Sequence, residues 1–260
     1  MAQPVFPTEA HARVAAAIAE TFGPDPAVDT ILITNSCARG RATPESDLDL
    51  VLLVKDGLPA DTVRALEARW AGFMAQDAAV LAYLHTGQYA HIHADVITGV
   101  YTPAIWDDGG GPDAFELEIG NRIACSAPLT PPGAAFMGLQ ARWLPFYDDA
   151  LRVSRLTMVR DACLYDLDHV PFFVRRDLPF QAFDRLYKAH QEFLQGLFIA
   201  WRRYPLAYNK WIHEQVVEWL GLPDVYAQLL WTLAVPELTN PHLDDRAARL
   251  HGLVTQWLNV

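Results

Sequence analysis

Lysine is almost missing from this chain: Lys55, Lys188 and Lys210 stand against 17 arginines. Cysteine is as scarce. Cys37, Cys125 and Cys163 are too few and too far apart for a disulfide framework or a paired-cysteine metal knuckle. No run of about 18 apolar residues occurs, which excludes a transmembrane helix and predicts no membrane partner. The opening MAQPVFPTEAHARV has no basic segment followed by an apolar one, so no secretory signal is expected and the expected setting is cytoplasmic. Basic charge is short overall, with 20 Lys+Arg against 31 Asp+Glu and a net charge of -11. Long nucleic acid is therefore not an expected partner, because its binders present a basic face. What is present is apolar substance. At 260 residues and 52% hydrophobic content, the chain can bury one large core or two smaller ones.

Charge and aromatics divide along the chain. Residues 1–130 hold 17 acids against 7 bases, whereas residues 131–260 hold 14 against 13 and six of the eight tryptophans. The spacing of Val14, Ile18 and Phe22 after Thr8 predicts a capped helix over 8–22. Apolar runs predict strands at 29–34, 47–54, 78–84 and 91–101, and a helix lies over 61–75. The polar stretch 35–46 reads as a turn or loop, and DDGGGP at 107–112 as a flexible loop. The proline-rich APLTPPG at 127–133 marks the expected boundary. Beyond it, helices are expected at 134–168, 180–204, 207–220, 223–235 and 242–258, with Pro171 among the breaks. The expected fold class is α+β: residues 1–130 form a mixed sheet with flanking helices, and residues 131–260 an all-α bundle. The apolar helical half is also a candidate homodimer surface.

The chemistry concentrates in ILITNSCARGRATPESDLDLVLLV, residues 31–54. Asp47 and Asp49 are two apart at the head of a strand, so their carboxylates share a face while Leu48, Leu50 and Leu52 take the other. Two adjacent carboxylates repel unless a cation lies between them, and Mg²⁺ accepts one or two carboxylates together with phosphate oxygens. Ser36 in the preceding turn can offer a hydroxyl beside such an ion. Asp95 lies in the later run HIHADVITG. Three acids in strands are unusual, because Asp is depleted there.

These residues resemble the signature of the nucleotidyltransferase superfamily, which includes DNA polymerase β and the aminoglycoside nucleotidyltransferases. That pattern is a Gly-[Gly/Ser] turn, a gap of about nine to thirteen residues, Asp-x-[Asp/Glu] in a strand, and a third acid in a later strand. Asn35-Ser36 stands at the Gly-Ser position, CARG at 37–40 matches the common continuation, SDLDL at 46–50 matches the acidic block, and Asp95 fits the third acid. Asn35 replaces the usual Gly, and Asn tolerates positive φ well. YPLAYNKWI at 204–212 resembles a Tyr…Lys-Trp stretch of bacterial members with a C-terminal helical domain. The resemblance implies a nucleotidyltransferase-type fold with catalytic, metal-binding Asp47 and Asp49 and with Asp95 as a further metal ligand or as a base; three converging acids can hold two Mg²⁺. It implies a phosphate contact from Ser36, with Asn35 in the same turn. Arg39 and Arg41 flank that turn and either reach phosphates or offset Glu45 and Asp47, and Lys188 and Lys210, expected on helices, are either phosphate partners or solvated surface residues. The implied reaction moves a nucleoside monophosphate, AMP from ATP, to a hydroxyl of a small acceptor, with an aminoglycoside-like cation as one class. The alternative is a nucleotide-binding sensor or interaction module that keeps the fold without catalysis.

Other residues carry competing readings. His91, His93 and Asp95 alternate on one strand and can form a transition-metal site, or one histidine can line the pocket near Asp95. Cys37 reads as a small buried residue. Arg152, Arg155 and Arg160 read as surface or interdomain pairs. Glu116 and Glu118 are further candidates for a base toward an acceptor hydroxyl.

Overall fold

The computed structural model describes residues 3–238 and 242–259. The chain divides into two compact units, one built from Met1–Tyr101 and Glu118–Pro145, the other from Thr102–Leu117 and Phe146–Val260. The proline-rich stretch expected as the boundary lies inside the first unit. At the level of class the protein is α+β, with one small mixed sheet and many helices.

In the first unit, Thr8 caps α1 (Glu9–Phe22) by accepting the His11 amide, and Val14, Ile18 and Phe22 are fully buried along one stripe. The sheet has the order β3-β2-β1-β4. β1 (Val28–Ile33) pairs antiparallel with β2 (Leu48–Val54) and with β4 (Ala127–Pro128). β2 pairs parallel with β3 (Ile92–Ile97), placing Asp49 beside His93 and Val51 beside Asp95. Between β1 and β2 the expected loop opens with one helical turn, α2 (Asn35–Ala38). The alternation anticipated for β2 holds. Leu48, Leu50, Leu52 and Val54 join a core with Ile18, Phe22, Leu66 and Val80. Leu66 belongs to α3 (Ala60–Gln76).

Residues 78–84 form a helix, α4 (Ala78–Leu84), where a strand was expected. The reason is a cap: the Asp77 carboxylate accepts from the amides of Ala79 and Val80 at 2.9 and 3.1 Å. With its first turn satisfied, the apolar run closes as a helix and buries Val80 and Tyr83.

The other sheet face is covered toward the end of β2 by α6 (Ala134–Trp143). Asp29 of β1 caps α6, accepting from the amides of Ala135 and Phe136 at 3.0 Å each. Gly133 is required there, since a Cβ would lie 2.2 Å from Asp29 Oδ1. Leu139 packs so near Gly99 and Leu53 that a Cβ on Gly99 would approach it to 2.7 Å. Val51 and Leu53 are thereby buried, while Asp47 and Asp49, farther down the same face, stay partly open.

The second unit is helical, as anticipated, but three boundaries differ. The helix expected over 134–168 is interrupted, and α7 (Asp149–Arg175) begins only after Pro145 and a positive-φ Phe146, capped by Asp148. α7 then runs through Pro171 without breaking. A lost backbone hydrogen bond is tolerated there because α7 packs along α8 (Pro179–Ala200). The helix expected over 207–220 shrinks to a π-helical turn, Glu214–Trp219. The preceding loop is pinned by Gln215, whose amide group bonds the Leu206 N–H and the carbonyls of Ala207 and Lys210. α9 (Pro223–Leu233) and α10 (His242–Trp257) complete this unit. No helix among the described residues is long and apolar enough to cross a membrane.

Candidate functional site

The head of β2 is fixed from three directions. On the β1 side, the Thr34 N–H donates to the Asp49 carbonyl at 3.0 Å; on the β3 side, the Leu48 N–H donates to the His91 carbonyl at 2.9 Å. The third direction comes from beneath. The Ser46 carbonyl, one residue before Asp47, accepts from His11 Nε2 at 2.9 Å and from the Tyr83 hydroxyl at 3.1 Å. With Nε2 as donor, His11 Nδ1 is the acceptor for the Thr8 hydroxyl at 2.8 Å, so the capping residue of α1 also sets the imidazole tautomer. His11 and Tyr83 are each 1% exposed and meet edge to face at 4.9 Å. Burial first, with the neighbouring Cys37 and the carboxylates of Asp47 and Asp49, pushes the Tyr83 phenol up to about 12, which keeps it a donor.

Asp47 and Asp49 project from the face opposite the core, and His93 meets them from the neighbouring parallel strand. One ligand atom from each of the three lies within 4.8 Å of the others, and His93 Nε2 is 3.5 Å from Asp47 Oδ2. The donors remain accessible to solvent, His93 at 64% and Asp47 at 37% of side-chain surface. Two carboxylates and an imidazole on adjacent strands are a donor set suited to a divalent cation.

Asp95 shares this face but stands one pleat farther along β3, about 6.6 Å on for two residues of strand. Its carboxylate is paired with Arg122 at 3.0 Å, and Arg122 also reaches Glu118 at 3.3 Å. The tight group among the described residues is Asp47, Asp49 and His93, where the sequence pattern anticipated Asp95.

The turn bearing the Gly-Ser-like pair lies beside the carboxylates. Burial first, then the charges of Asp49 and Asp47, push the Cys37 thiol up to about 11. Asn35 takes φ 52°, the left-handed conformation for which the sequence pattern has Gly. Ser36 is buried, and Arg39 is half-buried at the C-cap of α2. Lys188 and Lys210 belong to the second unit. Lys188 lies on α8 and pairs with Asp184 at 2.9 Å. Lys210 lies in the loop pinned by Gln215, not on a helix as expected, with Nζ 5.5 Å from the Trp211 ring centre. That loop is held by bonds from one side chain to three backbone groups, a pattern no periodicity reveals.

The second unit holds a polar network of its own. Arg155, expected in a surface or interdomain pair, is 2% exposed and pairs across the boundary expected at 127–133. It grips Asp113 at 2.6 and 2.7 Å and Glu116 at 2.7 and 2.9 Å, while Gln195 donates to both acids. Glu116 is thus a partner of Arg155 and of the Tyr147 hydroxyl, committed within this network. An adjoining cavity of about 210 Å³ is lined by Trp106, Asp107, Asp113, Glu192 and Gln195 among others. Glu192 is 1% exposed, and its carboxyl oxygens have no hydrogen-bond partner among the described residues. Burial, reinforced by Asp166, pushes Glu192 up to about 9.

Sequence reasoning singled out Asp47, Asp49 and Ser36 in the 35–46 turn or loop, and it flagged His93. It missed His11, Tyr83 and Arg122. Tyr83 was hidden by the strand reading of 78–84, and Arg122 reaches Asp95 through a contact 27 residues away in sequence. No protein-family model matches the chain, and no curated protein matches its sequence.

Proposed function

We propose that the first unit is a divalent-metal-dependent nucleotidyltransferase core. It moves a nucleoside monophosphate, AMP from ATP, to a hydroxyl of a small acceptor. The observation that carries this reading is the pair Asp47 and Asp49 at the open head of a strand, adjoining the turn of Asn35 and the buried Ser36. Mg²⁺ held by Asp47 and Asp49 would neutralise phosphate charge. The residues themselves bind and orient. Ser36 and the turn approach the phosphates, with Arg39 beside them. Asp95, exposed on the same face and paired with Arg122, accepts the proton as the acceptor oxygen bonds to the α-phosphorus and pyrophosphate departs. Catalysis of this kind is mostly positioning and charge compensation. The acidic balance of the first 130 residues supports a cationic acceptor of the aminoglycoside type, through field focusing.

The test is pyrophosphate release from ATP with Mg²⁺ or Mn²⁺ across a panel of hydroxylated acceptors. Release is expected from the intact protein and is expected to fall by about a hundredfold or more in Asp47→Asn and Asp49→Asn, with unchanged circular dichroism. No release, together with no thermal shift on adding ATP and metal, overturns the reading. A thermal shift without turnover supports instead a nucleotide sensor built on the same unit.

A further inference from the structure

We infer that His93, and not Asp95, completes the metal ligand set with Asp47 and Asp49, giving a nitrogen-bearing site that favours Mn²⁺ and Zn²⁺ over Mg²⁺. This rests on the proposed metal-binding role of the two aspartates and departs from it in the third ligand and the preferred ion.

The geometry carries the assignment. Parallel pairing of β2 and β3 sets Asp49 directly opposite His93, so the two side chains leave the sheet side by side. Asp47 precedes Asp49 by one pleat on the same face, and His93 Nε2 is already 3.5 Å from its carboxylate. Closing a 4.8 Å group of donor atoms around an ion needs only small rotations of exposed side chains, because donors bound at about 2.1 Å lie roughly 3 Å apart when adjacent. Asp95 would have to leave Arg122 and reach back a full pleat. His91, just before β3, is the other imidazole nearby, but its ring centre is 6.2 Å from that of His93 and it lies outside the group.

The chemistry follows from the donor types. Mg²⁺ is a hard ion that prefers oxygen and gains little from imidazole, whereas Zn²⁺ accepts nitrogen readily. Mn²⁺ takes oxygen donors as Mg²⁺ does but, as a softer transition ion, also accepts an imidazole nitrogen. Replacing a third carboxylate by a neutral imidazole also leaves one negative charge fewer to attract Mg²⁺.

The experiment titrates Mg²⁺, Mn²⁺ and Zn²⁺ into the full chain by calorimetry and records electron spin-echo modulation of bound Mn²⁺. Expected are tighter binding of Mn²⁺ and Zn²⁺ than of Mg²⁺ by about tenfold or more, and ¹⁴N modulation from a coordinated imidazole. In His93→Gln the modulation should vanish and Mn²⁺ affinity should fall by roughly tenfold, with little change for Mg²⁺. Asp95→Asn should keep both the modulation and the affinity. The inference is overturned if His93→Gln binds Mn²⁺ like the parent, or if Asp95→Asn is the variant that loses it. If Asp47→Asn and Asp49→Asn also bind all three ions like the parent, the metal-binding reading of the aspartates falls as well. Metal binding that needs the aspartates but not His93 sinks this inference alone. Because His93 is largely exposed, its replacement leaves the fold intact, and circular dichroism verifies this.

Discussion

Single residues in this protein act through what surrounds them. Asn35 keeps a left-handed turn without Gly, because its short polar side chain suits φ near 52°. Cys37 is a poor nucleophile at neutral pH, since burial and two neighbouring carboxylates hold it as the thiol. Glu192 couples the stability of the helical unit to pH. Below the ordinary glutamate range it is neutral in the folded and unfolded chain alike. Between about 4.5 and about 9 only the folded protein keeps the proton. Stability attributable to this group is therefore complete at low pH and drains away as pH rises through that window, by at most about 1.4 kcal/mol per pH unit. Glu192→Gln is expected to flatten the fall in stability between pH 6 and 9. Urea titrations at several pH values check it, and an unchanged slope would contradict the assignment.

At the scale of elements, caps decide more than propensities. Residues 78–84 carry an apolar run that fits either a strand or a helix, and Asp77 resolves it by satisfying two amides of the first turn. The consequence reaches the site, because α4 carries Tyr83 to the Ser46 carbonyl. Asp77→Ala is expected to cost about 1 kcal/mol and to lower the melting temperature by about 2–4 °C, whereas Asp77→Asn should lose much less. Differential scanning calorimetry distinguishes the two. The same variant should reduce metal affinity modestly if α4 positions Asp47, which calorimetric titration reads independently of stability. Asp29 does for α6 what Asp77 does for α4, but from another strand, so no local pattern announces it.

At the scale of the whole molecule, each unit is assembled from two stretches of chain. Residues 102–117 belong with the helical unit and 118–145 with the sheet. Division at residue 130, where the composition changes, therefore takes a part from each. A fragment of residues 131–260 would lack Asp113 and Glu116 and leave Arg155 buried without its partners, a loss of about 3–5 kcal/mol. A fragment of residues 1–130 would lack α6 and bare Val51 and Leu53. Both fragments are expected to be unfolded or molten, with strong binding of an apolar dye and poor chemical-shift dispersion, whereas the full chain gives cooperative transitions. A well-folded 131–260 fragment would contradict the role given to the Arg155 network. The sequence by itself determined the α1 stripe, the alternation of β2, the pairing of Asp47 with Asp49 on one face and the helical character of the second half, because each rests on the period of the backbone. Only the tertiary structure decided that His93 meets the aspartates while Asp95 turns to Arg122, that Tyr83 and His11 hold the Ser46 carbonyl, and that Arg155 is buried. Those outcomes depend on strand register and on contacts between residues far apart in the chain, and a periodic pattern carries no information about either.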